Sequence, residues 1–231
     1  MNKKGQTPPF ETRELRRKLT AFLDREVVDP VWGPIKLGNY KFGVYAFFDY
    51  DKEPIYVGQT NEKLRTRIRR HLTNQRTDAV AMNVLDPFEV HTVEVWPLPQ
   101  FQDRATEDKE AKAYLNALEL HIYNKLVAES HFGAILNEKE PLKTELEIES
   151  PASHQGVIVS AEVVELRGHP DVRIARRALV LSRLAQVISE RQVQTGLRTT
   201  LLTQAKRLAG LAESRLADFP GGNGGEDDEG V

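Results

Sequence analysis

The chain has 231 residues, which is enough for one domain of ordinary size with an appendage or for two small domains. No window approaches the roughly 18 consecutive apolar residues of a membrane span, and the N-terminus lacks the apolar core of a secretory signal. The absence of cysteine excludes disulfides and thiolate zinc sites, and together these features predict a cytoplasmic protein with no membrane partner.

The formal net charge of −2 conceals a local asymmetry. The segment from Lys63 to Arg76 contains six basic residues and no acid, whereas the glycine-rich residues 220–231 are acidic. A basic cluster of this kind attracts a polyanionic partner more effectively than the sum of charges suggests. The acidic tail is expected to be disordered.

The N-terminal part predicts one helix and a loop. Leu15, Leu19 and Phe22 fall at helical spacing and predict a helix over residues 11–26, followed by a loop over residues 32–41. The basic side of this helix is interpreted as a solvated face, with DNA contact as the alternative.

Two segments rich in aromatic and β-branched residues, 42–48 and 55–57, flank the turn-forming residues 49–53. This pattern predicts a β-hairpin. Tyr45 and Tyr56 would then lie on neighbouring strands.

A helix is expected after this hairpin. Gly58 lets the backbone turn away, and Asn61 is a plausible N-cap. Its apolar seam would consist of Leu64, Ile68 and Leu72. Arg67 and His71 lie four residues apart beside this seam, so they share one face of the helix. A structural pair at the edge of the core is the alternative interpretation of these two residues.

The remaining basic residues of this helix lie on other faces. They are Arg65, Arg69, Arg70 and Arg76. We predict that they bind nucleic acid together with Lys63 and Gln59, and an exposed charged face is the alternative.

The middle of the chain predicts a short helical piece at residues 79–84, a third strand at 88–96 and a long helix at 103–127. The buried stripe of the long helix would consist of Ala111, Leu115, Leu118, Ile122 and Leu126. Glu119 falls at the margin of this stripe, a partly shielded position that most glutamates on a surface helix avoid.

The C-terminal part predicts a strand at residues 157–166 and two helices at 171–192 and 197–218, separated at Gly196. The helices carry an apolar stripe that must pack on something. We expect this helical hairpin to mediate homodimerisation, with target recognition as the alternative.

The tripeptides and the polar residues after them occur in a distinctive order: Gly43-Val44-Tyr45, Tyr56-Val57-Gly58, Arg67, His71, Glu119 and Asn137. In this order and spacing, residues 38–140 resemble the GIY-YIG nuclease family. Both tripeptides differ from the family pattern only at the apolar middle residue, and Gln59 stands where lysine is common.

The resemblance implies an α+β fold with a small three-stranded antiparallel sheet flanked by helices. It implies catalytic roles for Tyr45, Tyr56, Arg67, His71, Glu119 and Asn137, and structural roles for Gly43 and Gly58. Tyr45 would be the general base or its relay, Tyr56 would orient phosphate or water, and Asn137 would brace the site. The four-residue step to His71 selects Arg67 over Arg65.

Phosphodiester hydrolysis requires an activated water, neutralisation of charge on the phosphorus and stabilisation of the leaving 3′ oxygen, and these residues supply a candidate for each. Glu119 is a hard oxygen ligand for one Mg²⁺ or Mn²⁺, and the motif supplies no second carboxylate for a two-metal mechanism. Arg67 offers a charged fork to phosphate oxygens, and His71 exchanges a proton near neutrality. The expectation is a DNA endonuclease of restriction or defence type. The alternatives are a nucleic-acid-binding protein that does not cut, and a nuclease acting on RNA or repair intermediates.

The predicted organisation has five segments. They are an N-terminal helical arm (1–37), the nuclease domain (38–140), a linker (141–156), a strand with a helical hairpin (157–219) and an acidic tail (220–231).

Overall fold

The computed structural model describes residues 8–73, 84–137, 139–190, 192–193 and 195–219. These residues form an α+β fold. Its helices are α1 (Phe10–Asp24), α2 (Leu64–Leu72), α3 (Lys109–Glu129), α4 (Ala161–Arg167), α5 (Pro170–Glu190) and α6 (Thr195–Ala217). Its strands are β1 (Glu26–Asp29), β2 (Gly33–Lys36), β3 (Gly43–Phe48), β4 (Pro54–Thr60), β5 (Thr92–Pro97) and β6 (His154–Val157). Within these ranges, every helix is too short or too polar to cross a bilayer.

The central sheet is antiparallel and has four strands in the order β4-β3-β5-β6. The predicted sheet of three strands is therefore one strand too small. The additional strand β6 pairs with β5 and lies at the end of the predicted linker. The predicted strand over residues 157–166 is wrong, because α4 begins at Ala161 with Ser160 as its N-cap.

The two faces of the sheet belong to different packing layers. Along β3, Val44 and Ala46 pack in the cluster that contains the buried side of α3. Tyr45 and Phe47 point the other way, into the cluster that contains α1, α2 and parts of α5 and α6. Because β4 is an edge strand, α2 and α3 approach each other around its free edge. This edge is where the candidate site lies.

The N-terminal helix is found where the sequence predicts one, with Leu15, Leu19 and Phe22 buried. The loop predicted for residues 32–41 is partly wrong, because β2 (Gly33–Lys36) lies within it and pairs with β1 as a hairpin. The Asp29 carboxylate accepts hydrogen bonds from the two backbone amides of the hairpin turn, at 2.8 and 3.0 Å. Helix α2 begins at Leu64 rather than near Asn61, whose side chain instead donates to the Thr106 carbonyl.

The C-terminal helices α5 and α6 pack against each other and against the sheet. Leu184, Ile188 and Leu197 lie in the same cluster as Tyr45 and Phe47. Gly196 is the second residue of α6 rather than a break between helices. These three apolar side chains pack within their own chain, whereas Ala178 and Ala185 of the predicted stripe are exposed, and homodimerisation stays a prediction.

A buried ionic cluster fixes these helices to the end of β3. Asp49, which is 1% exposed, accepts hydrogen bonds from Arg177 at 2.9 Å and from Arg207 at 2.6 Å. Arg177 also donates to Glu89 at 2.9 Å, and all four residues are buried. The helical hairpin is therefore attached to the sheet by charge as well as by apolar packing.

Candidate active site

The β3–β4 hairpin brings two tyrosines together. Tyr45 pairs with Gly58, and Phe47 pairs with Tyr56. Because side chains alternate along a strand, Tyr45 and Phe47 project from the same face. The ring centroids of Tyr45 and Tyr56 lie 6.2 Å apart, and Phe47 stacks on Tyr56 at 5.7 Å.

Gly58 is required by the close approach of Tyr45. A Cβ atom added at Gly58 would lie 2.6 Å from the Tyr45 hydroxyl and 2.9 Å from the Tyr56 ring. Gly43 is similarly restricted, since its added Cβ would lie 2.8 Å from the Trp96 carbonyl oxygen. The glycines of both tripeptides thus allow close packing of this hairpin.

Helix α2 contributes Arg67 and His71 from the turns beside its buried seam of Leu64, Ile68 and Leu72, which confirms the predicted seam. The imidazole ring of His71 lies 5.1 Å from the Tyr56 ring and 5.8 Å from the Tyr45 ring. The Tyr45 hydroxyl is fully buried near Arg67, without a hydrogen bond of normal geometry to any described residue. Burial raises the pKa of Tyr45 well above 10, an effect that the Arg67 charge partly opposes.

Glu119 approaches from the opposite side, on α3. Burial raises the pKa of its carboxyl to about 7, although Gln59 and Arg67 both favour the charged form. Gln59 belongs to β4 and also donates to Asn116 at 2.9 Å, one turn before Glu119. The pKa of Glu119 is raised because the positive charge near its carboxylate does not offset the cost of burying the ionised form.

Replacing Glu119 with Gln should stabilise the free protein in a pH-dependent way. The folded pKa of about 7 lies above the ordinary value of 4.5, so the folded state binds the extra proton between these values. The wild type therefore loses stability relative to E119Q as the pH rises from 4.5 to 7. In metal-free buffer, the free energy of unfolding measured with urea should be higher for E119Q than for wild type by on the order of 1–3 kcal/mol at pH 8. At pH 4.5 the two proteins should have nearly the same free energy of unfolding. An equal difference at both pH values would contradict the raised pKa.

Asn137 closes the free edge of β4. Its side-chain amide accepts a hydrogen bond from the Val57 backbone N–H at 3.1 Å and donates to the Val57 carbonyl at 2.8 Å. The Leu136 backbone N–H donates to the Ile55 carbonyl at 2.7 Å. Residues 136–137 thus pair with Ile55 and Val57 as an additional strand would. They do not pair with the part of the β4 edge beyond Val57, where Gln59 lies.

One cleft gathers most of the predicted catalytic residues. We call it the catalytic cleft; it has a volume of about 420 Å³ and is lined by Tyr56, Arg67, His71, Glu119 and Asn137, with Lys139 and Glu140 on its rim. Tyr45 lies beneath it, buried against Gly58 and near Arg67. Side chains from β3, β4, α2, α3 and the segment after α3 therefore meet at one point on the sheet edge.

The residues predicted to bind nucleic acid are distributed differently. Arg65 donates to the Leu23 carbonyl and to Asp24, and Arg69 donates to the Thr20 hydroxyl, so both hold α1 against α2. Arg70 pairs with Glu62 at 2.7 Å, and Lys63 is exposed. Arg76 and most of the predicted helical piece at 79–84 lie outside the described residues. DNA binding by this set stays a prediction, and four of its members, Arg65, Arg69, Arg70 and Gln59, have partners within the chain.

Two polar residues at the site were missed from the sequence. Lys112 and Asn116 precede Glu119 by seven and three positions, so all three share one face of α3. The sequence shows these residues as a polar stripe at positions i, i+4 and i+7, next to the apolar stripe of the same helix. This stripe did not indicate a site, because lysine and asparagine are common on any exposed helical face.

The catalytic cleft holds few side chains that could bind a metal ion. No group of three or more His, Cys, Asp or Glu side chains suited to a metal is found in the described part of the chain. Glu119 offers one shielded carboxylate to the cleft, and Glu140 is exposed on the rim. Mg²⁺ retains several waters and often binds through one or two carboxylates, so the residues present fit such an ion.

Comparison with known protein families agrees with this geometry. Residues 41–126 match the GIY-YIG catalytic domain. The GIY-YIG segment includes Tyr45, Tyr56, Arg67, His71 and Glu119, whereas Asn137 lies beyond it. The match supports nuclease activity for this part of the chain. Searches among curated proteins and among solved structures gave no match.

Proposed function

We propose that the protein is a DNA endonuclease that hydrolyses phosphodiester bonds with one divalent metal ion, Mg²⁺ or Mn²⁺. The observation that carries this proposal is the single cleft shared by Tyr56, Arg67, His71, Glu119 and Asn137 within and next to the GIY-YIG segment. A structural role alone gives no reason for a largely buried carboxylate with a raised pKa to line an open cleft together with Arg67.

Each side chain has a distinct role in this proposal. Arg67 binds non-bridging phosphate oxygens through its planar fork and opposes the charge that develops on phosphorus. Glu119 holds the metal ion, which supplies Lewis-acid stabilisation and a more acidic water. Asn137 maintains the position of Val57, and through it the position of Tyr56 on β4.

The proton acceptor is assigned to His71, with Tyr45 as a positioning residue. The buried Tyr45 hydroxyl is protonated at neutral pH because burial raises its pKa well above 10. The imidazole of His71 lines the catalytic cleft itself and belongs to the one side-chain type that ordinarily titrates near neutrality. This assignment differs from the expectation that Tyr45 is the base.

Rate–pH profiles distinguish the two candidates. With the metal ion at saturation, so that Glu119 is ionised throughout, H71A should lose roughly 10²–10⁴-fold in kcat. It should also lose the limb of the profile that rises near neutrality, because that limb then reports the general base. Y45F should lower kcat at every pH while retaining the rising limb. Loss of the limb in Y45F, with the limb intact in H71A, would assign the base to Tyr45 instead.

The function is tested by incubating the wild type with supercoiled plasmid, linear duplex, branched DNA, single-stranded DNA and RNA. Each reaction contains Mg²⁺, Mn²⁺ or EDTA, and the cut ends are sequenced. We expect metal-dependent cuts in DNA that leave a 3′ hydroxyl and a 5′ phosphate. Tight binding without cleavage would favour a non-cleaving nucleic-acid-binding protein, and selective cutting of RNA would replace the DNA assignment. A restriction or defence role stays a prediction, which a sequence-specific pattern of cut ends would support.

A further inference from the structure

A second cleft adjoins the catalytic cleft on the other side of Arg67. We call it the flanking cleft; it has a volume of about 310 Å³ and lies between the end of β4 and the first turns of α3. Arg67 lines both clefts, so they meet at this residue. A polymer whose scissile phosphate sits on Arg67 can therefore continue directly into the flanking cleft.

The walls of the flanking cleft suit an anion. Lys112 is exposed at its edge and has no ion pair within 4.0 Å among the described residues. Asn116 contributes a side-chain NH2 group, and its amide oxygen accepts a hydrogen bond of 2.9 Å from Gln59, which holds the Asn116 side chain in place. Glu62 also lines the flanking cleft, but it forms an ion pair with Arg70 at 2.7 Å. This pair reduces the repulsion between the Glu62 carboxylate and a bound anion.

The polar stripe of α3 connects the two clefts. Lys112, Asn116 and Glu119 lie on one face of the helix, and Lys112 precedes Glu119 by seven residues. At 1.5 Å per residue, this separation is about 10 Å along the helix axis.

We propose that the flanking cleft is a phosphate subsite for the cleaved strand. It binds a backbone phosphate next to the scissile one through the ammonium group of Lys112 and the side-chain NH2 group of Asn116. The proposal rests on the proposed function and extends it by naming a substrate-binding residue outside the catalytic cleft. Lys112 touches the polymer backbone only, so it contributes affinity without sequence preference.

The test measures the salt dependence of DNA binding. A fluorescein-labelled 24-base-pair duplex and its single strand are titrated in EDTA with wild type, K112A, K112R and K125A. Lys125 lies on the same helix, is half-exposed and lines neither cleft, so K125A is a control for loss of one positive charge. K112A should bind about tenfold more weakly at moderate salt and lower the slope of log K against log salt by about one. K112R should restore most of the affinity and most of the salt slope. K125A should have the affinity and the slope of the wild type.

Cleavage kinetics separate this inference from the proposed function. If the wild type cuts DNA, K112A should raise KM while leaving kcat within about twofold, because uniform binding is lost. Equal salt slopes for K112A, K125A and wild type would overturn the subsite, whether or not the protein cuts. A Lys112-dependent slope in a protein that cuts no nucleic acid would retain the subsite and overturn the nuclease. Failure to bind either DNA probe would overturn the subsite as well.

Discussion

Replacing Arg67 with Ala should reduce kcat by about 10²–10³-fold, which is the loss typical of one group that stabilises developing charge. Arg67 lines both clefts, and its side chain lies near the buried Tyr45 hydroxyl. R67K should recover only part of the activity, because an ammonium group cannot form the planar two-pronged contact with phosphate oxygens. Single-turnover cleavage of saturating DNA measures the effect on the chemical step.

The control for Arg67 is R183A. Arg183 is an exposed residue of α5 and lines neither cleft, so its loss removes one positive charge without touching the site. R183A should cut at the wild-type rate. Both variants should unfold near the wild-type temperature, which excludes misfolding as the cause. An R67A enzyme within threefold of wild type in kcat would remove Arg67 from catalysis.

Replacing Asp49 with Ala should destabilise the protein by about 3–5 kcal/mol, the range expected when one partner of a buried ion cluster is removed. Asp49 is 1% exposed, and its loss leaves Arg177 and Arg207 buried without their shared carboxylate. Its other oxygen accepts hydrogen bonds from the Asp51 and Glu53 backbone amides, which shape the β3–β4 turn. Urea unfolding followed by circular dichroism measures the change.

Two further variants separate charge from hydrogen bonding. D49N keeps an acceptor for the turn but loses the charge, so its stability should fall between those of wild type and D49A. D171A removes an exposed pair with Arg215 on the same two helices and should leave the unfolding midpoint nearly unchanged. Equal effects of D49A and D171A would show that the buried cluster is not what fixes α5 and α6 to the sheet.

Local patterns predicted the elements that form the site. The aromatic and β-branched runs indicated the β3–β4 hairpin, and the seam of α2 is buried as expected. The four-residue step between Arg67 and His71 placed both on one face of α2, and that face does line the catalytic cleft. These features depend on residues close in sequence, so periodicity is sufficient to detect them.

Long-range pairings were not predictable in the same way. β6 has only four residues and a polar sequence, so it lacks the alternation of a strand and becomes one only by pairing with β5. Arg65 and Arg69 looked like a solvated or DNA-facing flank because helical spacing does not reveal which element packs there. Arg177 and Asp49 are 128 positions apart, and no local pattern distinguishes a buried arginine from an exposed one.

Nicking of supercoiled plasmid by purified wild type and E119Q, each with Mg²⁺, Mn²⁺ or EDTA, decides whether the catalytic cleft is a metal-dependent nuclease site. Glu119 contributes the metal-binding carboxylate of the catalytic cleft in this account. We expect nicked circles from the wild type with either metal, none with EDTA, and a loss of at least about 10²-fold in E119Q. Equal nicking by wild type and E119Q, or nicking that persists in EDTA, would contradict a metal-dependent nuclease site in this cleft.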